Sequence, residues 1–125
     1  MGDHCPCGSG DPYADCCGRL HRGTSTAATA EQLMRSRYSA FVVGDRDYLL
    51  RTWHPAHAPS ELELDDALRW VRLDVTDVRR GGFLDVDGEV EFTAHYRNDG
   101  VRGVQRERST FVREGGRWLY VDSAD

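Results

Sequence analysis

Ser109-Thr110-Phe111-Val112-Arg113-Glu114-Gly115-Gly116-Arg117-Trp118-Leu119-Tyr120-Val121-Asp122 is the stretch on which the fold turns. Two runs rich in β-branched and aromatic residues flank a Gly-Gly pair, the mark of a two-residue hairpin loop, whose central positions need positive φ. With the loop at Gly115-Gly116, Glu114 faces Arg117, Val112 faces Leu119, Phe111 faces Tyr120, and Ser109 is expected to face Asp122. Alternation then places Thr110, Val112, Leu119 and Val121 on one face and Ser109, Phe111, Trp118, Tyr120 and Asp122 on the other. Both faces carry apolar groups, as a curved sheet wrapped around helices requires.

Upstream of this hairpin the same period of two runs through Leu73 and Val75, then Val90, Phe92, Ala94 and Tyr96, then residues 104–112. Gly81-Gly82 or Asp87-Gly88, flanking the short Phe83-Leu84-Asp85 piece, and Asp99-Gly100 supply the turns. Before about Leu68 the period is helical. Thr29 and Gln32 have capping-box spacing, Met34, Tyr38, Phe41 and Val42 recur on one face, and Gly44 is placed to end the helix. A second helix is expected from Asp45, turning Tyr48, Leu49 and Trp53 inward until His54-Pro55. Ser60 and Glu63 repeat the capping spacing and predict a short third helix to about Leu68. Helices first and an antiparallel sheet afterwards make an α+β fold.

The front of the chain obeys a different rule. Cys5, Cys7, Cys16 and Cys17 are its only cysteines and lie in the pattern C-x-C-x8-C-C, with Gly8 and Gly10 freeing the backbone between the pairs. Four soft thiolates at this spacing suit tetrahedral zinc. Disulfides are the alternative, but the close pairs would form strained rings, so only cross-pairings are open to them. No C-x-x-C redox pair is present. His4 and His21 flank the cluster, and either imidazole is a competent zinc donor in place of a cysteine.

The chain has 125 residues, 39% hydrophobic and 30% charged, which suits one globular domain with a small appendage. Its net charge of −5 and the absence of a basic run disfavour nucleic acid as a partner. No apolar stretch is long enough to span a bilayer and Met1-Gly2-Asp3-His4 does not start a signal sequence, so a cytoplasmic protein is expected.

Cys5-Pro6-Cys7-Gly8-Ser9-Gly10 with Tyr13 and Cys16-Cys17-Gly18 resembles the SEC-C motif, the zinc-binding tail of the bacterial translocation ATPase. That resemblance implies a knob that contacts protein partners or the ribosome. Asp11 and Asp15 stand here where lysines are common, which counts against an anionic partner surface. Leu33 to Phe41, Asp47-Tyr48-Leu49, Thr52-Trp53-His54-Pro55, Glu107-Arg108-Ser109, Phe111 and Trp118 to Asp122 resemble the YchJ-like family. The resemblance implies a cone-shaped fold like nuclear transport factor 2, with the zinc motif over residues 1–23 and the α+β domain over 24–125.

Arg37, Tyr38, His54, Arg108, Ser109 and Asp122 are the candidate pocket residues. Arg35 and Arg37 are two apart and cannot share a helix face, so one is expected in solvent and Arg37 at the edge of the buried stripe, paired with an acid. His54 is expected to cap carbonyls, Arg108 and Asp122 to bind a ligand or pair internally, and Trp53, Trp118 and Tyr120 to fill the core.

The resulting functional reading is a zinc-binding adapter that meets a protein partner through its knob. The rival is a small-ligand-binding protein or an enzyme using the cone, although no catalytic signature is present and only His54, His95 and Asp122 offer titratable candidates. A third reading makes zinc purely structural and requires the knob to pack on the domain. The knob has few apolar residues beyond Tyr13 and Leu20, so metal removal is expected to release residues 1–23 and spare the rest.

Overall fold

A computed structural model describes residues 4–65 and 67–123; the ends of the two segments expected above, at Met1 and Asp125, lie outside them. A 3-10 turn at Tyr13–Asp15 leads into α1 (Cys17–His21), α2 (Ala30–Val43) and α3 (Arg46–Arg51). The strands β1 (Leu68–Arg80), β2 (Asp87–Asn98), β3 (Val101–Glu114) and β4 (Arg117–Ser123) follow as an antiparallel four-stranded meander in the order β1-β2-β3-β4. None of the described helices is long and apolar enough to cross a membrane.

α2 starts and stops where its capping residues dictate. Thr29 Oγ1 accepts the Gln32 N–H at 3.1 Å, and the Gln32 side chain reaches back to the Ala28 N–H at 2.7 Å. At the other end Gly44 adopts φ +80° and its N–H returns to the Ala40 carbonyl at 2.8 Å. The buried surface is wider than the expected stripe. Leu33, Met34, Arg37 and Tyr38 are buried together with Ala30, Ser36, Ser39 and Ala40, whereas Phe41 and Val42 are 37% and 38% exposed. Small residues on the second face show that another element presses against it.

The third helix does not form. Residues 59–65 run without regular structure, with Leu62 and Leu64 half-buried against the core between exposed Glu61, Glu63 and Asp65. That alternation has period two, so an extended path buries both leucines where a helix would turn one away. Capping spacing alone could not overrule it.

The final hairpin keeps the expected register for Glu114↔Arg117, Val112↔Leu119 and Phe111↔Tyr120. A bulge then intervenes, so Asp122 opposes Thr110 and Ser123, not Asp122, opposes Ser109. Two more irregularities interrupt β1 against β2, between Trp70 and Arg72 and between Val75 and Asp77. Bulges bend and twist the strands that carry them, which lets this sheet wrap α2. Beyond β4, Thr52 to His54 lies alongside its edge, with Tyr120 N–H on the Thr52 carbonyl at 2.8 Å and His54 N–H on the Tyr120 carbonyl at 2.7 Å.

The entry to α2 sits on the turn after β1. The Ala30 N–H bonds the Gly81 carbonyl at 2.9 Å, and a Cβ on Gly81 would lie 2.7 Å from the Ala30 Cβ. Gly81 also has φ +80°. Gly81→Ala should therefore lower unfolding free energy by about 1–3 kcal/mol, the usual cost of overpacking, with the left-handed backbone adding to it. Urea denaturation followed by tryptophan fluorescence measures the loss.

Candidate functional site

The cysteine loop closes on itself before it meets the domain. Cys5 N–H bonds the Asp11 carbonyl at 2.8 Å, Gly8 N–H bonds the Cys5 carbonyl at 3.1 Å, and Gly8 and Gly10 take φ +85° and +88°. The four sulfurs of Cys5, Cys7, Cys16 and Cys17 converge within 4.8 Å of one another, and all four thiols are unbridged. Metal–sulfur bonds of ~2.3 Å put the corners of a tetrahedron ~3.8 Å apart. The Cys7 and Cys16 sulfurs are 3.7 Å apart, so the donor set fits a metal ion. Ser9 Oγ lies 3.2 Å from the Cys16 sulfur and Ser39 Oγ lies 3.6 Å from that of Cys5, where hydroxyls steady thiolate charge. The Cys7 thiol is drawn down to about 4, chiefly by the hydrogen bond from Cys17. Cys17, which donates that bond and is buried, is pushed up, and burial pushes up Cys16.

Neither flanking histidine belongs to this group. His4 Nδ1 approaches the Gly10 carbonyl at 3.3 Å. His21 Nε2 must donate to the Ser36 carbonyl, at 2.8 Å, because a carbonyl can only accept, and its Nδ1 then accepts from Tyr13 OH at 2.5 Å. Both ring nitrogens are occupied, Nδ1 within the knob and Nε2 in fastening it to α2.

The knob is anchored further by Arg35, which the sequence left to solvent, by Arg51, which carried no signal there, and by Leu20. Arg35 Nη1 donates to the Cys7 carbonyl at 2.9 Å while its Nε pairs with Glu31 at 2.9 Å. Arg51 Nη2 reaches the His21 carbonyl at 2.7 Å. Leu20, 3% exposed, belongs to the main core together with Leu33, Tyr48 and Trp118. The knob, from His4 onward, thus packs on the domain, which is a physical reason to expect that it unfolds together with the domain and not alone.

A second feature lies on the other side of α2. A cavity of about 360 Å³ opens between α2, the 62–65 segment and the concave face of the sheet. Of the candidate residues, Arg37, Tyr38 and Ser109 line it. Arg37 is only 7% exposed, and its Nη1 donates to the Leu49 carbonyl and to Thr52 Oγ1, both at 2.7 Å. Its guanidinium carbon lies over Tyr120, 4.6 Å from the ring centre, and Trp53, at 5.2 Å; the two rings meet each other edge-on at 5.2 Å and so flank it from one side. No carboxylate among the described residues lies within ion-pairing distance, so the expected edge arginine with an acidic partner is instead a buried cation with neutral acceptors. Burial draws its pKa down to about 10, which leaves it charged at neutral pH.

His54, Arg108 and Asp122 do not reach the cavity. His54 Nε2 pairs with Glu114 at 2.9 Å and Nδ1 accepts the Ala56 N–H at 3.1 Å, so it caps no carbonyl with its ring. Arg108 sits on the outer face of the sheet, 2.8 Å from Asp77, 3.2 Å from Glu91 and 3.3 Å from Glu89. Its hydrogen bond holds the Asp77 carboxyl below the usual carboxylate range. Asp122 is exposed because the bulge before it reverses its side. Strand parity gives the physical reason: Arg108 is one residue from Ser109 and must face the other way.

Glu63, Asp65 and Glu107 are the acids that line the cavity; Glu107 is the one on the sheet, two residues from Ser109 and on its face, and that spacing was the signal in the sequence. Glu107 accepts from Ser109 Oγ at 2.5 Å and from Tyr120 OH at 3.3 Å. Trp53 and Tyr120, expected as core, form cavity wall, whereas Trp118 is core and donates to the Ala28 carbonyl at 3.2 Å. Trp53 Nε1 is a buried donor without an acceptor, an arrangement that costs about 1–3 kcal/mol.

Because Leu20 joins knob and core, Leu20→Ala should destabilise the whole chain by about 2–5 kcal/mol. Thermal unfolding watched at the tryptophans and by thiol accessibility should then shift as one transition; separate transitions would show an independent knob.

The comparisons agree with this architecture. Residues 29–123 match the family model "YchJ, middle NTF2-like domain", and residues 3–19 match the SEC-C motif. A UPF0225 protein of Streptomyces coelicolor is 51% identical over 118 residues, covering 94% of this chain and 92% of the relative. One from Deinococcus radiodurans is 48% identical, covering 97% and 88%. The solution structure of a SEC-C motif containing protein from Rhodopseudomonas palustris superposes with a TM-score of 0.84 at 35% identity over 97% of both chains. A crystal structure of a SEC-C motif containing protein from Psychrobacter arcticus gives 0.80 at 28% identity, over 96% of this chain and 81% of that one. The chain is a member of the UPF0225 family, with a SEC-C motif packed against a YchJ-type NTF2-like domain.

Proposed function

We propose that the four thiolates hold one zinc ion as a structural staple, and that the working site is the cavity behind α2, which binds a small polar organic molecule. The observation that carries the second part is Arg37, a buried charge resting against two aromatic rings at a cavity wall and hydrogen-bonded to neutral acceptors alone. A fold that needed Arg37 only as glue would gain more from an acid beside it. Zinc is preferred because it favours four thiolates in a tetrahedron and brings no redox chemistry of its own. Unbridged thiols suit a reducing compartment, and we place the protein in the cytoplasm on that ground.

The adapter reading stands second. Gly8 to Pro12, Ala14 and Asp15 form an exposed outer rim on the knob, which can meet a protein partner while the inner side holds α2. A pull-down comparing wild type with a Cys16→Ser, Cys17→Ser double variant tests it. A partner lost only with the metal supports the adapter.

Elemental analysis of reduced, chelator-free protein should find about one zinc per chain, and Cys17→Ala should lose it. Chelation should lower the melting temperature of the entire domain, since the knob shares its core. In a thermal-shift screen of small molecules, hits should disappear in Ala94→Leu, which fills the cavity, while that variant keeps its zinc. A screen without a single cavity-dependent hit would overturn the ligand reading and leave the staple standing.

A further inference from the structure

Resting on the cavity reading above, the geometry points to one class of ligand: we propose that the cavity takes the monoanion of a small aromatic carboxylic acid. Its carboxylate meets the outer edge of Arg37 and its ring lies among the aromatic walls.

The argument begins with the hydrogen bonds of Arg37. Both leave from Nη1, to the Leu49 carbonyl and Thr52 Oγ1, so Nε and Nη2 carry none to the described residues. Those two nitrogens form the side of the guanidinium that matches a carboxylate with two parallel bonds. Contact with the Tyr120 and Trp53 rings, together with the two Nη1 hydrogen bonds, holds the fork in place before a ligand arrives.

The charge around this cation limits the ligand to one negative charge. Glu63, Asp65 and Glu107 also line the cavity, and a phosphate dianion would have to face all of them with a single arginine in its favour. Glu107 accepts from the Ser109 and Tyr120 hydroxyls and makes no ion pair with Arg37, although its charge acts on that guanidinium across the cavity.

The walls select the remainder of the ligand. Trp70 stands 6.1 Å from Tyr38 and 6.2 Å from Phe41 in tilted or edge contacts, and Phe92 adds a further wall. Edge-to-face walls of this kind favour a flat ring over a branched chain. The volume of about 360 Å³ falls near the lower end of the ~300–1,000 Å³ range of small-molecule sites, which favours one ring system.

Calorimetric titration of the zinc-loaded full chain tests the proposal with phenylacetate, its neutral isostere phenylacetamide, acetate and inorganic phosphate as probes. Phenylacetate should bind at least about tenfold tighter than each of the others, the effect of losing a charge-assisted pair or the apolar body. Arg37→Met should lose at least about tenfold in phenylacetate affinity, and Arg37→Lys should lose part of it, while Arg108→Ala stays at wild-type affinity. If the Arg37 variants fail to fold, the acid against amide comparison on the wild type decides. Equal binding of acid and amide, equal binding of phosphate, or undiminished binding by Arg37→Met would each overturn the carboxylate assignment. Neutral molecules that bind and vanish in Ala94→Leu would then leave the cavity reading intact; a cavity that takes no probe of either kind removes both.

Discussion

Helix α2 is held from two sides, and the rest of the molecule follows from that. Ser36, Ser39 and Ala40 have no exposed surface, which lets the cysteine knob and α3 approach that side closely, while Leu33, Met34 and Tyr38 meet the sheet. Ser36 is the hinge of the arrangement. Its carbonyl takes the His21 imidazole, its hydroxyl donates to the Leu33 carbonyl at 2.7 Å, and it must therefore accept from Tyr48 OH at 2.6 Å. Three helices are tied at this one small residue, where a larger side chain would force them apart.

This geometry explains why the knob and the cavity, on opposite sides of one helix, are mechanically joined. Arg35 turns toward the Cys7 carbonyl and Arg37 toward the cavity, two residues apart. A metal that fixes the knob fixes α2, and α2 sets where Arg37 sits. The small knob has few apolar residues of its own, and the proposed staple combined with a shared leucine would compensate for that.

Arg37 is the position where the structure gives up stability. Charge is kept in a site that is mostly closed to water, with π faces and neutral oxygens in place of a counterion. Local sacrifices of this kind concentrate where a molecule does its work. The outer face of the sheet is the contrast. Arg108 there meets three carboxylates in the half-exposed setting where ion pairs contribute little to stability.

The sequence by itself determined the features whose cause is local. Cysteine spacing with Gly8 and Gly10 brings four sulfurs together because the loop is short. Thr29 and Gly44 bound α2 because caps act within a turn, and Gly115-Gly116 sets the first pairs of the last hairpin because the loop leaves no other register. Only the tertiary structure decided the rest. A bulge past Val121 moved Asp122 to the solvent side, and leucine alternation at 62 and 64 drew the expected helix out into cavity wall. Strand parity gave the cavity Glu107 in place of Arg108, and the second burial face of α2 received a knob that no helical period reveals. These outcomes depend on which distant surface a side chain meets, and a contact between residues 30 or 90 positions apart leaves no period in the chain for a reader to find.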